Sequence, residues 1–163
     1  MIEINGKNII LRTMTQKETR ALWRKFVPEN NVAYEYNEEV ADKLYEQSIE
    51  REEWNPSVGI FTKTDEIIGE LTFDRIVYSE KRCDLSLFLV SETYRDKGYG
   101  TEAVMLAKAY AKDKLGLKRI YADVSSNNAR MRAVMKKCGF QHTKTFKGDA
   151  SDGGDRLAYF ALL

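Results

Sequence analysis

The segment from Cys83 to Val124 constrains the fold more than any other part of the chain. Its first stretch, Cys83 to Val90, is apolar on both alternating faces, which predicts a central strand covered on both sides. A glycine-bearing loop and an amphipathic helix follow, and Arg119 to Val124 returns as a short strand. A strand, a helix and a strand in that order predict a βαβ unit with parallel strands and a right-handed crossover.

The segments around this unit predict further elements of one α/β domain with a mixed sheet. In chain order the pattern is β-α-α-β-β-β-α-β-α-β-β. Two turns, Lys63 to Glu66 and Ser151 to Gly154, are expected to join antiparallel strand pairs. Besides the two strands above, strands are predicted over Ile9 to Leu11, Val58 to Thr62, Ile67 to Phe73, Phe140 to Phe146 and Arg156 to Leu163.

Four helices are predicted from their caps and from apolar periodicity. Thr15 and Glu18 have capping-box spacing, and Pro28 with the Asn30-Asn31 pair ends that helix. The third helix lies between the glycine-bearing loop and Gly116, and Asn127 or Asn128 caps the fourth. Asn37 or Glu38 begins the second helix, whose predicted inward face comprises Val40, Ala41, Leu44, Tyr45 and Ile49.

Length and composition exclude several classes of protein. The 163 residues suit a single domain over residues 1–163, and 43% hydrophobic with 31% charged residues is typical of a globular chain. The net charge of +1 provides no global field for nucleic acid or an anionic membrane, and no segment approaches the ~18 apolar residues of a membrane span. Two cysteines and one histidine are too few for a zinc site. They predict reduced thiols, as in a cytoplasmic protein.

The loop Arg95-Asp96-Lys97-Gly98-Tyr99-Gly100-Thr101 carries the clearest chemical signal in the sequence. Its glycines let a ligand approach the backbone, and the first N–H groups of the following helix have no partners within the helix. Together with the helix dipole these groups favour a diphosphate, and Arg95 and Lys97 add positive charge. The alternative is a solvated turn with a basic rim.

A dinucleotide-binding fold is a second interpretation of the same loop. Gly98 to Ala103 satisfies G-x-G-x-x-A, and Asp123 follows about 20 residues later. We reject this interpretation because the Rossmann turn joins strand and helix tightly, whereas residues 91–97 intervene here. The strands before Cys83 also have the pattern of antiparallel hairpins rather than of a βαβαβ half.

Two spaced motifs resemble those of the GCN5-related N-acetyltransferases (GNAT). Arg95-x-x-Gly98-x-Gly100 resembles their acyl-CoA diphosphate loop, and Asn128-x-Arg130 with Gly139-Phe140 resembles their next motif. The beginning, Lys7 to Arg12, and the end, Tyr159 to Leu163, resemble the branch with ribosomal-protein N-terminal and spermidine acetyltransferases. The resemblance covers nearly the whole chain. It implies a mixed, mostly antiparallel sheet that splays at a CoA cleft, with helices on both faces.

The resemblance also implies acetyl-CoA as cosubstrate, without a metal. The pantetheine arm is expected along the edge of the strand at Phe88, Leu89 and Val90, and Asn128 is expected to face it. The diphosphate is expected at Arg95, Asp96, Lys97, Gly98, Tyr99, Gly100 and Thr101. Asn128 has the alternative role of a plain helix cap.

Acetyl transfer to an amine needs a base, because an alkyl amine is protonated below its pKa of ~10. By the resemblance, Asp84 or Glu70 accepts this proton, and solvent is the alternative. The usual leaving-group acid of the family is a Tyr four residues before Gly139, where this chain has Met135. The sequence therefore leaves the proton donor open.

The acceptor is predicted to be a primary amine, on a small molecule or at a peptide N-terminus. The segment from Trp23 to Trp54 is expected to border it, with the aromatic and acidic residues Tyr34, Glu35, Tyr36, Glu38 and Glu39. Met135 motivates an alternative function, a catalytically weak module that binds or senses CoA. The oligomeric state stays open, with a homodimer as one expectation.

Overall fold

Eight strands pair into one sheet in the order β1-β2-β3-β4-β5-β6-β8-β7. The computed structural model describes residues 1–28, 32–148 and 154–163. Within these residues β5 and β6 run parallel, and the other neighbouring strands run antiparallel. This confirms the mixed, mostly antiparallel sheet. The strands are β1 (Glu3–Asn5), β2 (Ile9–Arg12), β3 (Ser57–Thr62), β4 (Ile67–Val77), β5 (Arg82–Leu89), β6 (Arg119–Ser125), β7 (Gln141–Phe146) and β8 (Arg156–Leu162).

The four predicted helices are confirmed, and their side-chain caps explain where three of them begin. Thr15 forms the capping box with Glu18, Asn37 accepts from the N–H of Val40, and Asn128 accepts from the N–H of Met131. The Asn30-Asn31 pair and most of the turn predicted at 151–154 lie outside the described residues. The helices are α1 (Gln16–Lys25), α2 (Glu38–Glu50), α3 (Tyr99–Asp113) and α4 (Ala129–Lys137).

The helices cover opposite faces of the sheet. The larger core lies on the α3 side, where Ala103 and Ala107 of α3 and Met135 of α4 pack with Leu71 and Leu85. A smaller core lies on the α1 side and comprises Met14, Leu22, Phe61, Ile67 and Val90. Helix α2 packs against α1, where the carboxylate of Asp42 accepts two hydrogen bonds from Arg20 at 2.7 Å. Among the described helices, none is long and apolar enough to cross a membrane.

Three sequence expectations need correction. Strand β1 was not predicted, because three residues at the sheet edge are too short to show periodicity. The inward face predicted for α2 is only partly buried, since Val40 and Ile49 are exposed and only Ala41 is fully covered. Strand β5 is central but not covered throughout on both sides, because Ser86 is exposed on the α1 side.

Candidate functional site

The sheet opens between β5 and β6. These strands pair only from Arg82 opposite Arg119 to Asp84 opposite Tyr121, although β5 continues to Leu89. The rest of β6 stays paired with β8 and leaves β5 without a neighbour on that side. Paired strands lie about 4.8 Å apart, so the end of this pairing marks where the two strands diverge. A cleft of about 720 Å³ is lined by residues of β5 beyond this point.

The cleft passes from one face of the sheet to the other. Leu87 and Phe88 both line it, and successive side chains of a strand point to opposite faces. Leu87 belongs to the core on the α3 side, whereas the ring of Phe88 lies 5.2 Å from that of Phe26, beside α1. A ligand can therefore enter on the α3 side and present its end on the α1 side.

The N-terminus of α3 forms one end of the cleft. Its N-cap, Gly98, has a left-handed backbone (φ 82°) that favours glycine, and no side chain caps the helix. Gly98, Tyr99, Gly100 and Thr101 all line the cleft, so the N–H groups of the first turn, which have no partners within the helix, border it. This arrangement suits a diphosphate.

Positive side chains surround the same end of the cleft. Arg95, Arg130 and Lys137 are among its lining residues, and Asp96 is the acidic residue beside them. The guanidinium of Arg130 lies 3.3 Å from the carboxylate of Asp96, so this ion pair connects the loop before α3 with α4. The Arg95 guanidinium lies 3.7 Å from Glu92.

The surroundings of Gly100 show how much room the basic end of the cleft has for an acyl-CoA diphosphate. A Cβ atom on Gly100 would lie 3.8 Å from Leu87 and 4.0 Å from Val134, both of which line the cleft. Such an atom would not clash with the protein, but it would take up space between the two walls. The glycine therefore keeps the cleft open beside the backbone donors, and the residues present fit the group that the resemblance implies.

The structure brings most of the predicted CoA residues to the cleft, but not all of them. Phe88, Leu89 and Asn128 line it, whereas Lys97 is exposed and lies outside its walls. Val90 is buried in the core on the α1 side. Its N–H donates to Ile68 at 2.9 Å, and its carbonyl accepts from Val27 at 2.7 Å, so both of its backbone groups are occupied.

Asn128 caps α4 and also lines the cleft, and its contact with CoA stays a prediction. Its Oδ1 accepts a hydrogen bond from the N–H of Met131 at 2.9 Å and caps α4. Within residues 1–28, 32–148 and 154–163, its side-chain NH₂ group has no hydrogen-bond partner. Asn128 thus caps α4 through its oxygen and keeps a side-chain donor for other partners.

Phe26 and Phe88 line the other end of the cleft, and with Trp23 and Tyr34, which contact the ring of Phe26, they form an aromatic cluster. The ring of Phe26 lies 5.3 Å from Trp23, 5.3 Å from Tyr34 and 5.2 Å from Phe88. The hydroxyl of Tyr34 donates to the carbonyl of Trp23 at 2.9 Å. Sequence analysis singled out Tyr34 and Phe88. It included Phe26 and Val27 only within the segment from Trp23 to Trp54 that was expected to border the acceptor, because nothing local shows that the end of α1 reaches β5.

The two acidic candidates differ in their distance from this cluster. Glu70 lies directly opposite Phe88 in the pairing of β4 with β5, so both side chains project on the α1 side. Asp84 lies four residues from Phe88 along the strand, about 13 Å away. The carboxylate of Asp84 is also paired with the guanidinium of Arg75.

Burial changes the acidity of Glu70. Desolvation of its carboxylate raises the pKa of Glu70, although a hydrogen bond from Ser57 opposes this effect. Beyond Glu70 the same face carries polar residues, and the hydroxyl of Ser86 donates to Asp74 at 2.8 Å. The aromatic end of the cleft therefore adjoins a polar, acidic strip of the sheet.

Met135, at the position of the family's usual leaving-group tyrosine, does not reach the cleft. Its side chain is 1% exposed and packs in the larger core, outside the cleft walls. The hydroxyl-bearing residues that line the cleft are Tyr94, Tyr99 and Thr101. The hydroxyl of Tyr94 donates to Glu66 at 2.6 Å, and this bond raises the pKa of Tyr94 to about 12.

Tyr94 also ties the loop before α3 to the rest of the α1 side. Its acceptor Glu66 lies in the turn between β3 and β4 and receives a second bond, from Lys25 at the end of α1, at 3.0 Å. The hydrogen bond from Tyr94, together with that from Lys25, lowers the pKa of Glu66. Three chain segments thus meet at one carboxylate beside the cleft.

The acids expected around the acceptor are partly engaged by α1. The carboxylate of Glu38 lies 3.3 Å from Arg20 and 3.6 Å from Arg24. The Arg24 guanidinium also lies 4.8 Å from the ring of Tyr36. Glu38 therefore compensates the charge of α1, and the structure places the aromatic ring of Tyr34, rather than this acid, in the cluster beside the cleft.

Comparisons with known proteins agree with this geometry. A family model described as acetyltransferase (GNAT) domain matches residues 8–141. The probable N-acetyltransferase YjcK of Bacillus subtilis (strain 168) is 32% identical over 97 residues, which cover 59% of this chain. The match spans only 53%, about half, of the length of that protein.

Solved structures show the same fold at low sequence identity. An acetyltransferase (GNAT family) from Bacillus anthracis superposes with a TM-score of 0.82 at 18% identity, covering 99% of this chain and 98% of that chain. A variant of the spermidine N-acetyltransferase SpeG from Vibrio cholerae superposes with a TM-score of 0.81 at 17% identity, covering 96% and 95%. Both confirm the splayed α/β sheet expected from the sequence.

Proposed function

The chain belongs to the acetyltransferase (GNAT) domain family, and we propose that it transfers an acetyl group from acetyl-CoA to a primary amine. The acceptor is a small molecule or a protein N-terminus, and it attacks directly within a ternary complex. One observation carries the proposal: a single cleft crosses the sheet where β5 and β6 separate. Its basic end offers backbone donors, and its aromatic end adjoins the half-buried carboxylate of Glu70.

The residues of the basic end bind the donor in this proposal. The first-turn N–H groups of Tyr99, Gly100 and Thr101 hold the diphosphate, and Arg95 and Arg130 neutralise its charge. The pantetheine amides bind to backbone groups on the unpaired edge of β5 at Phe88 and Leu89, and to the NH₂ group of Asn128. We assign no contact to Val90, whose backbone groups are occupied, or to the side chain of Lys97, which lies outside the cleft.

Glu70 is the base in this proposal, rather than Asp84. It lies beside Phe88, where the end of the cleft opens on the α1 side, and its raised pKa makes its carboxylate a better proton acceptor than an ordinary glutamate. Asp84 is farther along β5 and is paired with Arg75. The acidic strip around Glu70 also favours the approach of a cationic amine.

Transfer forms one bond and breaks one bond. The amine nitrogen bonds to the thioester carbonyl carbon while the carbon–sulfur bond breaks, and the amine gives its proton to Glu70, directly or through water. CoA leaves as the thiolate and takes a proton from solvent. A thiol with a pKa near ~8.5 leaves without an acid, so the burial of Met135 does not prevent transfer.

A CoA-binding module without transfer is the second candidate. The observation that favours it is the core position of Met135, since the cleft wall has no tyrosine from this helical turn of α4. Both candidates share the cleft and its diphosphate-binding end. They differ only in whether an amine consumes the thioester.

An acceptor screen with acetyl-CoA separates the two candidates. The protein is incubated with amines and peptides, released CoA thiol is followed with a colorimetric reagent, and products are identified by mass spectrometry. The proposal expects CoA release that depends on one class of amine and an acetylated product. A protein whose melting temperature rises with CoA, but which acetylates no member of a broad panel, would support the binding module instead.

A further inference from the structure

We infer that the aromatic cluster of Trp23, Phe26, Tyr34 and Phe88 limits the acyl group to about the size of acetyl. The cluster thus selects acetyl-CoA over CoA thioesters of longer acyl chains. This inference rests on the proposed function, because it concerns the donor of that reaction. The inference goes beyond the proposed function by naming the residues that exclude larger donors.

Charge decides which end of the cleft faces the acyl group. The cationic lining residues Arg95, Arg130 and Lys137 come from the loop before α3 and from α4. Within residues 1–28, 32–148 and 154–163, no cationic or anionic residue lines the aromatic end, at Phe26 and Phe88. An anionic diphosphate belongs at the first end and an uncharged acyl group at the second.

Ring packing leaves little room for a longer chain at the aromatic end. Phe26 packs edge-on against Trp23, Tyr34 and Phe88, with all three centroid distances between 5.2 and 5.3 Å. The ring of Trp23 lies 5.4 Å from that of Phe88, so Trp23 contacts both of the rings that line the cleft. Aromatic centroids at this spacing are in contact, so extra methylene groups would have to displace a ring.

The backbone behind the cluster holds it in place. The N–H of Val27 donates to the carbonyl of Val90 at 2.7 Å and fixes the end of α1 to the end of β5. The hydroxyl of Tyr34 is held by the carbonyl of Trp23, and Leu22 before Trp23 is fully buried. The ring of Phe26 therefore cannot move aside without breaking the hydrogen bonds of Val27 or Tyr34.

Binding of acyl-CoAs without an acceptor tests the inference directly. Affinities of acetyl-, propionyl- and butyryl-CoA are measured by calorimetry for the wild type, for Phe26→Ala and for Phe26→Leu. The control is Phe146→Ala, which removes an exposed ring on β7 that contacts Lys144 and lies away from the cleft. Thermal unfolding checks that each variant is folded, and transfer rates are measured in parallel.

The wild type and the control should bind butyryl-CoA at least about tenfold more weakly than acetyl-CoA, since each excess methylene is discriminated about 10- to 200-fold. Phe26→Ala should reduce this ratio to about threefold or less, and Phe26→Leu should give an intermediate ratio. If Phe26→Ala does not fold, Phe26→Leu decides the same comparison.

Two results would overturn the inference: a wild type that binds acetyl- and butyryl-CoA equally, or a folded Phe26 variant that keeps the wild-type ratio. If the wild type shows the ratio but acetylates no amine, the transfer reaction is wrong and the selection by Phe26 stands. If the wild type binds no acyl-CoA at all, both the proposed function and the selection by Phe26 are wrong.

Discussion

The two ends of the cleft are built in different ways. The backbone donors of the basic end come from one continuous stretch, residues 94–101, at the start of α3, and Arg130 and Lys137 of α4 add positive charge. The aromatic end combines side chains from α1, β4 and β5, which are separated by tens of residues in the chain. A motif can encode the first end, whereas only the folded sheet creates the second.

This difference determines how substitutions should act. Backbone donors survive most side-chain changes, so the basic end fails only when its space or charge is altered. The other end relies on single side chains, and Glu70 or Phe26 can be removed one at a time. Four variants, from the largest expected effect to the smallest, test this division.

The largest effect on CoA affinity is expected from Gly100→Asp. Its carboxylate would occupy the space between Leu87 and Val134 and repel the diphosphate, so CoA affinity should fall by about 100-fold or more. The apo protein should stay folded, because an acid in the first turn of a helix is favourable. Calorimetry with CoA and thermal unfolding measure the two quantities.

Gly100→Ala is the matched control for the charge of that aspartate. Its methyl group would make only ordinary contacts with the cleft walls, so the loss of affinity should be smaller than in the aspartate variant. Equal CoA affinity in Gly100→Asp and the wild type would mean that the diphosphate lies elsewhere.

Glu70→Gln should lower kcat by about 10²- to 10⁴-fold and leave CoA affinity unchanged, because a general base contributes about that much. The stability of the Glu70→Gln variant at neutral pH should not fall with its kcat. Since burial raises the pKa of Glu70 in the folded state, its contribution to stability is present at low pH and is lost as the pH rises through that pKa. At neutral pH the neutral glutamine should therefore give an equal or higher melting temperature, and this difference should vanish towards pH 4.

Asp84→Asn serves as the control for Glu70→Gln. It removes an acid of the same strip, but one that is paired with Arg75 and distant from Phe88, so kcat should stay near the wild-type value. A large loss of kcat in Asp84→Asn together with full activity in Glu70→Gln would exchange the two assignments. Full activity of both variants at all pH values would make solvent the base.

Tyr94→Phe should weaken CoA binding by about fivefold, the equivalent of one hydrogen bond of ~1 kcal/mol. The variant loses the 2.6 Å bond to Glu66 that ties the loop before α3 to the β3–β4 turn. Tyr110→Phe is the control, because Tyr110 is a tyrosine of α3 outside the cleft walls. If both variants bind CoA like the wild type, the bond to Glu66 does not position the loop.

The smallest effect is expected from Lys97→Ala, although the sequence places this lysine within the diphosphate loop. Its side chain is exposed and outside the cleft walls, so CoA affinity should change by about twofold or less. Arg95→Ala should weaken binding more, because Arg95 lines the cleft. Titrations with CoA at one salt concentration compare the two, and a larger loss in Lys97→Ala would contradict the placement of the loop.

The fold was largely predictable from the sequence, because it depends on local periodicity and caps. The apolar alternation of β5, the periodicity of α3 and the capping residues Thr15 and Asn128 all act within a few residues. The sequence did not predict the short strand β1 or the exposure of Val40 on α2, because both depend on what packs against them. Pattern alone does not give the depth of burial.

The candidate site divides in the same way. Gly98 and Gly100 indicated the diphosphate-binding end because a helix N-terminus is a local feature. Phe26 was expected only as part of the segment from Trp23 to Trp54, because its exact position depends on the hydrogen bond between Val27 and Val90 that brings α1 to β5. The sequence placed Asp84 ahead of Glu70 as the candidate base, whereas the register of Glu70 opposite Phe88 favours Glu70.

A crystal structure of the protein with acetyl-CoA tests the central claim most directly. We expect the diphosphate about 3 Å from the backbone nitrogens of Gly100 and Thr101 on the α3 side. We expect the acetyl group on the α1 side, in contact with Phe26 and Phe88 and next to Glu70. A cofactor that stays on one face of the sheet, or whose acyl end points away from Phe88, would contradict this placement.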